Sequence, residues 1–298
     1  MNDTYRMLHQ RLSQGLQLLP DKPDENPHST LCALWHTACG DPRSSAAGQR
    51  GELPPLGADG ARLTALEQLV GRRIAGEPLA HITGRQQFMG LEMLSGPQAL
   101  IPRAETEQLA HAAIALLQQA PAGSNATVID VCTGSGNLAF AIAQQLPQAR
   151  VFGSDLSAEA IAFAERNGRH LGMAGHVGLR IGDLLAPFES PQFQGQVDLI
   201  VCAPPYIRSS KVEQMPAEIA GHEPRLAFDG GPFGVTLLMR LIEDAPRFLR
   251  AGGWLALEVG LGQGPALERR LQRDQAYREV RALADGSGAT RVILARRH

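Results

Sequence analysis

Four short runs of this 298-residue chain carry residue types that can do chemistry. The first is Val128-Ile129-Asp130-Val131-Cys132-Thr133-Gly134-Ser135-Gly136, an apolar run holding an acid, then a turn with two glycines, then a helical pattern opening at Asn137. Glycines let a backbone approach a ligand at φ values that other residues avoid. By itself the pattern serves equally well as a plain strand–helix turn. The second run, Val151-Phe152-Gly153-Ser154, ends at Asp155, 19 residues beyond Gly136. An acid at that place can hold both hydroxyls of a ribose. For a dinucleotide the third glycine of G-x-G-x-x-G is wanted; position 139 is Ala, which that pattern tolerates. The third run is Gly182-Asp183, placed to reach a base or to cap a helix. The fourth is Val197–Cys202 running straight into Ala203-Pro204-Pro205-Tyr206. Two prolines make a stiff, extended backbone just beyond a buried strand, which suits substrate holding; a Tyr that simply packs is the plain alternative.

The elements that must position these runs follow from periodicity. Residues 1–19 read as a helix through Tyr5, Leu8, Leu12, Leu16 and Leu19, Pro20–Pro27 as a break, Leu31–Cys39 as a second helix, and Asp41–Gly60 as a mobile loop. Leu63–Ala75 returns to helical spacing. Phe88–Leu94 and Ala99–Ile101 are expected to form a β-hairpin, followed by a helix over Glu105–Gln119. From Thr127 strands and helices alternate: strands Thr127–Val131, Arg150–Ser154, Gly178–Ile181, Val197–Cys202 and Trp254–Val259, and helices Asn137–Leu146, Ala158–Leu171, Leu237–Phe248 and Gly264–Arg273. Tyr277–Leu283 and Arg291–Ala295 read as a closing hairpin. This is the pattern of an α/β fold with a mostly parallel sheet, whose ligands sit at the carboxyl ends of the strands. Three parts are expected: a helical N-terminal lid or substrate-recognition domain over 1–84, a hairpin linker over 85–104, and a catalytic domain over 105–298.

Composition narrows the classes. Apolar residues make up 44%, charged residues 19%, and the formal net charge is −2, which argues against nucleic acid as the primary substrate and against a membrane surface. The 2 Lys against 26 Arg reflect codon composition rather than function. Four cysteines (Cys32, Cys39, Cys132, Cys202) lack paired spacing, so no metal site or disulfide framework is expected. No signal peptide or membrane-spanning stretch is read, and the expected location is the cytoplasm. His81 and His222 are assigned structural roles, and Phe228 and Phe233 are assigned to packing rather than to a substrate pocket.

With these runs in hand, the chain resembles the class I S-adenosylmethionine-dependent methyltransferases of the HemK-like, protein-(glutamine-N5) family. The blocks that carry the resemblance are Gly76–Gly84, Phe88–Leu91, Leu100-Ile101-Pro102-Arg103-Ala104-Glu105-Thr106-Glu107, Asp130–Gly136, Val201–Tyr206, His222-Glu223-Pro224, Asp229-Gly230-Gly231 and Gly252-Gly253-Trp254. The resemblance implies a Rossmann-like sheet with helices on both faces behind a small helical domain. It decides against a dinucleotide. It places S-adenosylmethionine against Asp130, Thr133, Gly134, Gly136 and Asn137, with Cys132 where many relatives have glycine. Asp155 and Leu156 would take the ribose side, and Gly182, Asp183 and Leu184 the adenine side. Phe88, Pro102 and Arg103 would lie over the cofactor from the N-terminal side. Glu107 joins the catalytic set.

The family's acceptor motif is Asn-Pro-Pro-Tyr, and here it is Ala203-Pro204-Pro205-Tyr206. An amide nitrogen is a poor nucleophile because its lone pair is delocalised. The family answer is to hold the substrate amide with that Asn and a Pro carbonyl, aiming the nitrogen at the methyl carbon. Three readings follow. The acceptor is a small metabolite or amine, a better nucleophile. Or the cofactor's own amino group attacks its own Cγ, closing azetidine-2-carboxylate and releasing methylthioadenosine. Or the chain is a protein-(glutamine-N5) methyltransferase with Asn replaced by Ala at position 203.

Overall fold

The computed structural model describes residues 3–58, 60–119 and 125–298; Met1 and Asn2 of the first expected helix and Asp59 of the expected loop lie outside them. The chain divides into two units, Met1–Ala104 with Pro216–Glu223, and Glu105–Met215 with Pro224–His298.

The first unit packs helices Asp3–Gly15, Pro27–Ala38, Ser45–Gly48, Ala61–Ile74 and Leu79–Thr83 around Leu8, Leu12, Leu31, Leu34, Trp35, Leu66 and Val70. The first helix ends at Gly15, short of the expected Leu19; a side chain at Gly15 would meet Ile74 at 2.9 Å. Pro27 starts the second helix rather than ending a break. Asn26 caps it by accepting from the His28 and Ser29 amides, and proline is compatible with a first helical turn. The expected mobile loop Asp41–Gly60 is corrected in part. It contains the helix Ser45–Gly48, Gly48 lies against the Ala33 backbone with no room for a side chain, and Trp35 Nε1 donates to the Pro54 carbonyl at 2.8 Å.

The hairpin is also corrected. Its strands are β1 (Arg85–Phe88) and β2 (Leu91–Leu94), paired antiparallel, and Ala99–Ile101 forms no strand. The turn falls at Met89-Gly90, both in the left-handed region with φ of 49° and 81°. A methionine there hides the turn inside an apolar run, because only glycine normally announces that conformation. Segment Pro216–Glu223 is tied into this unit by buried charges. Glu218 accepts from Lys22 Nζ at 2.5 Å and from Arg73 Nη1 at 2.9 Å, while Arg73 Nη2 donates to Glu25 at 2.9 Å. Buried charges persist where they are paired in this way.

The second unit is built on a seven-stranded sheet: β3 (Thr127–Val131), β4 (Arg150–Asp155), β5 (Val177–Ile181), β6 (Val197–Cys202), β7 (Leu249–Glu258), β8 (Tyr277–Ala284) and β9 (Thr290–Arg297). The order is β5-β4-β3-β6-β7-β9-β8. All neighbours are parallel except β9, which runs antiparallel to β7 and β8. β3 is buried at all five positions, as a central parallel strand covered on both faces must be. Helices Glu107–Gln118, Asn137–Gln145, Ala158–His170, Thr236–Phe248 and Gly264–Gln272 flank the sheet. The strand order reverses between β3 and β6, and Val131 pairs with Cys202. The loops after these two strands therefore leave the sheet side by side at the place where α/β sheets take ligands.

Candidate active site

The loop after β3 is held by its own backbone. Cys132, Gly134 and Gly136 have φ of 60°, 54° and 83°. A side chain at Gly136 would meet the buried Phe140 ring at 2.5 Å. Cys132 thus adopts a conformation suited to the glycine that many relatives have there, at a cost of about 1–3 kcal/mol. Asp130 is fully buried, and its Oδ2 accepts from Thr133 Oγ1 at 2.6 Å. Burial pushes the Asp130 carboxyl up to about 7. Asn137 opens the helix that follows.

Asp155 ends β4. Its Oδ2 accepts from the Gly134 amide and its Oδ1 from the Ser157 amide, each at 2.9 Å, which locks the glycine turn to this acid. Burial pushes the Asp155 carboxyl above its ordinary value. The Leu156 amide also bonds this carboxylate, and the two oxygens together still have acceptor capacity for a hydroxyl, so the ribose assignment is compatible with these bonds. Leu156 and Ile181, each 58% exposed, stand at the ends of neighbouring strands, and Ile181 pairs with Asp155. Both are exposed apolar side chains next to Asp155, one in sequence and one in sheet register. Ile181 carries no motif and was not singled out from sequence; its place at the end of β5 is the signal. Gly182 has φ of 157° and abuts Pro187. Asp183 is paired with Arg240, whose Nη2 donates to it at 2.6 Å. Leu184 has φ of 49° and turns its side chain into the sheet's core.

The loop after β6 is held by side chains from far along the chain. Gln263 Nε2 donates to the carbonyls of Tyr206 and Gly234, both at 3.0 Å, while its Oε1 accepts from the Gly260 amide at 2.9 Å. Ile207 bridges to Asp229, and the Gly230 amide donates to the Ile207 carbonyl at 2.8 Å. Tyr206 Oη donates to Glu105 Oε1 at 3.1 Å. Arg291 lies over the Tyr206 ring, 5.7 Å from its centre, and reaches Glu105 at 3.0 Å and the buried Glu258 at 4.0 Å. Burial, with Glu258 and Glu105 close by, raises the Tyr206 hydroxyl above its ordinary value, so it stays protonated and donates. Pro204 is buried; Ala203 and Pro205 are half-buried. Glu105, rather than Glu107, meets Tyr206; Glu107 sits in the first turn of its helix. Glu105 belongs to the Leu100–Glu107 block that carries the resemblance, whereas Gln263, Glu258 and Arg291 lie outside the candidate set read from sequence, because only the fold brings them to this loop.

In the first unit, Phe88 is fully buried at the end of β1 and Pro102 is buried. Arg103 is buried too: its Nη2 donates to Glu223 at 2.6 Å and its Nε lies 3.1 Å from Asp21, while Glu223 Oε2 accepts from the Ile101 amide at 2.9 Å. His222 Nδ1 lies 3.1 Å from the Glu218 carbonyl, a structural placement. Phe228 is buried, but Phe233 is 72% exposed, so packing does not account for it.

The chain is similar in sequence and in fold to known methyltransferases. Residues 122–256 match a family model described as a methyltransferase domain. The chain is 40% identical over 230 residues to a release factor glutamine methyltransferase of Moorella thermoacetica, covering 77% of this chain and 78% of that protein. It is 38% identical to the protein of the same name from Geobacter sulfurreducens, covering 78% and 77%. Among solved structures, the hMettl16 catalytic domain superposes with a TM-score of 0.59 at 14% identity, covering 94% of this chain and 95% of that one, a likeness of fold. No helix among the described residues is long and apolar enough to cross a membrane. The chain is an S-adenosylmethionine-dependent transferase, and it belongs to the HemK-like, protein-(glutamine-N5) family of class I methyltransferases.

Proposed function

We propose that the chain methylates the side-chain amide of a glutamine in a protein, a release factor being the acceptor named for its relatives, through an acceptor loop that lacks one amide contact. The observation that carries this reading is the three-way clamp of Gln263 on Tyr206, Gly234 and Gly260. It keeps the backbone of the Ala-Pro-Pro-Tyr loop fixed although the Asn side chain is gone. Bound S-adenosylmethionine supplies a methyl group activated on a sulfonium. Asp155 would hold its ribose, Leu156 and Ile181 its base, and the backbone of Thr133–Gly136 its methionyl part. The loop's carbonyls remain as acceptors for the N–H groups of a substrate amide. Holding the nitrogen in line with the methyl carbon is the main work asked of the protein, since pre-orientation is worth several kcal/mol. The proton lost from nitrogen passes to solvent.

Ala203 itself favours a second reading, N-methylation of a small amine, which needs no amide-orienting side chain. One experiment separates them. The protein is incubated with S-adenosylmethionine alone, with a set of small amines, and with a recombinant bacterial release factor, and products are read by mass spectrometry. The proposed function predicts S-adenosylhomocysteine and a 14-dalton gain on one glutamine of the release factor only. Methylation of an amine would favour the second reading. Methylthioadenosine from the cofactor alone would establish ring closure and contradict both.

A further inference from the structure

Among the described residues, the two most exposed large apolar side chains are Phe233, at 72%, and Leu261, at 70%. They lie 28 positions apart in sequence, yet each is the neighbour of a glycine packed against Tyr206. A side chain at Gly234 would meet the Tyr206 carbonyl at 2.4 Å, and one at Gly260 would meet the Tyr206 ring at 2.9 Å. Gln263 joins both glycines through one amide group. Phe233 and Leu261 are thus displayed on two glycine-flanked loops latched to the acceptor tyrosine.

We infer that Phe233 and Leu261 form an apolar rim that seats the protein segment carrying the acceptor glutamine. The inference rests on the proposed function and deepens it, by assigning the surface that recognises a macromolecule. Three observations select this occupant. Phe233 and Leu261 each adjoin a glycine packed on Tyr206, which puts them beside the loop where the acceptor group is presented. A small amine leaves two such side chains in water, whereas a polypeptide covers them, and exposed apolar patches beside a site mark macromolecular contact. The latch also holds the rim in place before binding, which lowers the entropic cost of seating a chain. Of the other exposed large apolar side chains among the described residues, Leu156 and Ile181 stand next to Asp155, where the proposed function uses them, and Met7, Leu18 and Leu226 flank no glycine packed on Tyr206.

The test measures binding of a recombinant release factor by titration calorimetry, in the presence of S-adenosylhomocysteine, to three proteins: the natural chain, the double variant F233A/L261A, and the conservative variant F233L/L261M. Loss of the buried apolar area predicts about 10- to 100-fold weaker binding by the alanine variant. The conservative variant recovers most of it. S-adenosylhomocysteine affinity, measured separately, stays unchanged and reports an intact fold. Equal affinity of the natural chain and the alanine variant overturns the inference, as does absence of binding by the natural chain. Failure of the proposed function is read independently: release factor that binds through the rim but never gains methyl, even with Ala203→Asn, refutes the methylation reading and leaves the rim standing.

Discussion

The loops that follow β3 and β6 leave neighbouring strands, and they are fixed by opposite means. After β3 the chain holds itself: three residues in the left-handed region, and an acid 21 positions on accepting from the Gly134 amide. After β6 the backbone is extended by two prolines and then gripped from outside, by Gln263, Glu105 and Arg291. The first arrangement tolerates little change, because in the proposed function backbone shape is itself the binding surface. The second separates scaffold from chemistry, so one side chain, at position 203, can change while the loop stays in place.

That contrast can be broken at either end. The largest effect is expected at Gly136→Ala. The left-handed backbone costs about 1–2 kcal/mol with a side chain, and the methyl group overlaps the buried Phe140 ring. Affinity for S-adenosylhomocysteine should fall by at least about 100-fold in titration calorimetry, with a lower Tm. Next comes Gln263→Glu. It keeps the shape but sets a carboxylate against two carbonyls that need a donor. Unsatisfied buried acceptors cost about 1–3 kcal/mol, so kcat on the acceptor should fall by about 10- to 100-fold. Cofactor affinity should hold; if it falls equally, the two loops are not separately fixed. The smallest effect is on pH dependence. Burial raises the Asp130 carboxyl to about 7 in the folded chain, so the folded state keeps a proton that the unfolded state releases at about 4. Stability from this group is therefore fully present below about pH 4 and is lost as pH rises toward about 7. Asp130→Asn should flatten the decline of Tm across that window while still accepting from Thr133. An unchanged slope would place the titration elsewhere.

The same contrast explains what the sequence made legible. Strands β3, β4 and β6 and the helices Asn137–Gln145, Ala158–His170 and Thr236–Phe248 were readable to within a residue or two, because continuous apolar runs, glycine turns and helical spacing are local signals; the short helices Ser209–Val212 and Ala217–Ala220 after β6 were not. The β3 loop and Asp155 stood out for that reason. The grip on the β6 loop did not: Gln263 and Arg291 are 57 and 85 positions from Tyr206, and nothing near either residue announces the contact. Met89 in a left-handed conformation hid where the expected hairpin turns, and Trp35 bonding to Pro54 ordered a stretch whose composition reads as mobile. In each case tertiary contact overrode local propensity.

In the proposed function, the loop after β6 is a complete scaffold missing one amide-orienting side chain. The direct measurement is the steady-state rate of glutamine methylation on a release factor by the natural chain and by Ala203→Asn. With the proposed function, kcat rises by about 10²–10³ in the variant with cofactor affinity unchanged, the range that one positioned polar group is worth. An unchanged or lower kcat would contradict it and mean that the loop serves an acceptor of another kind.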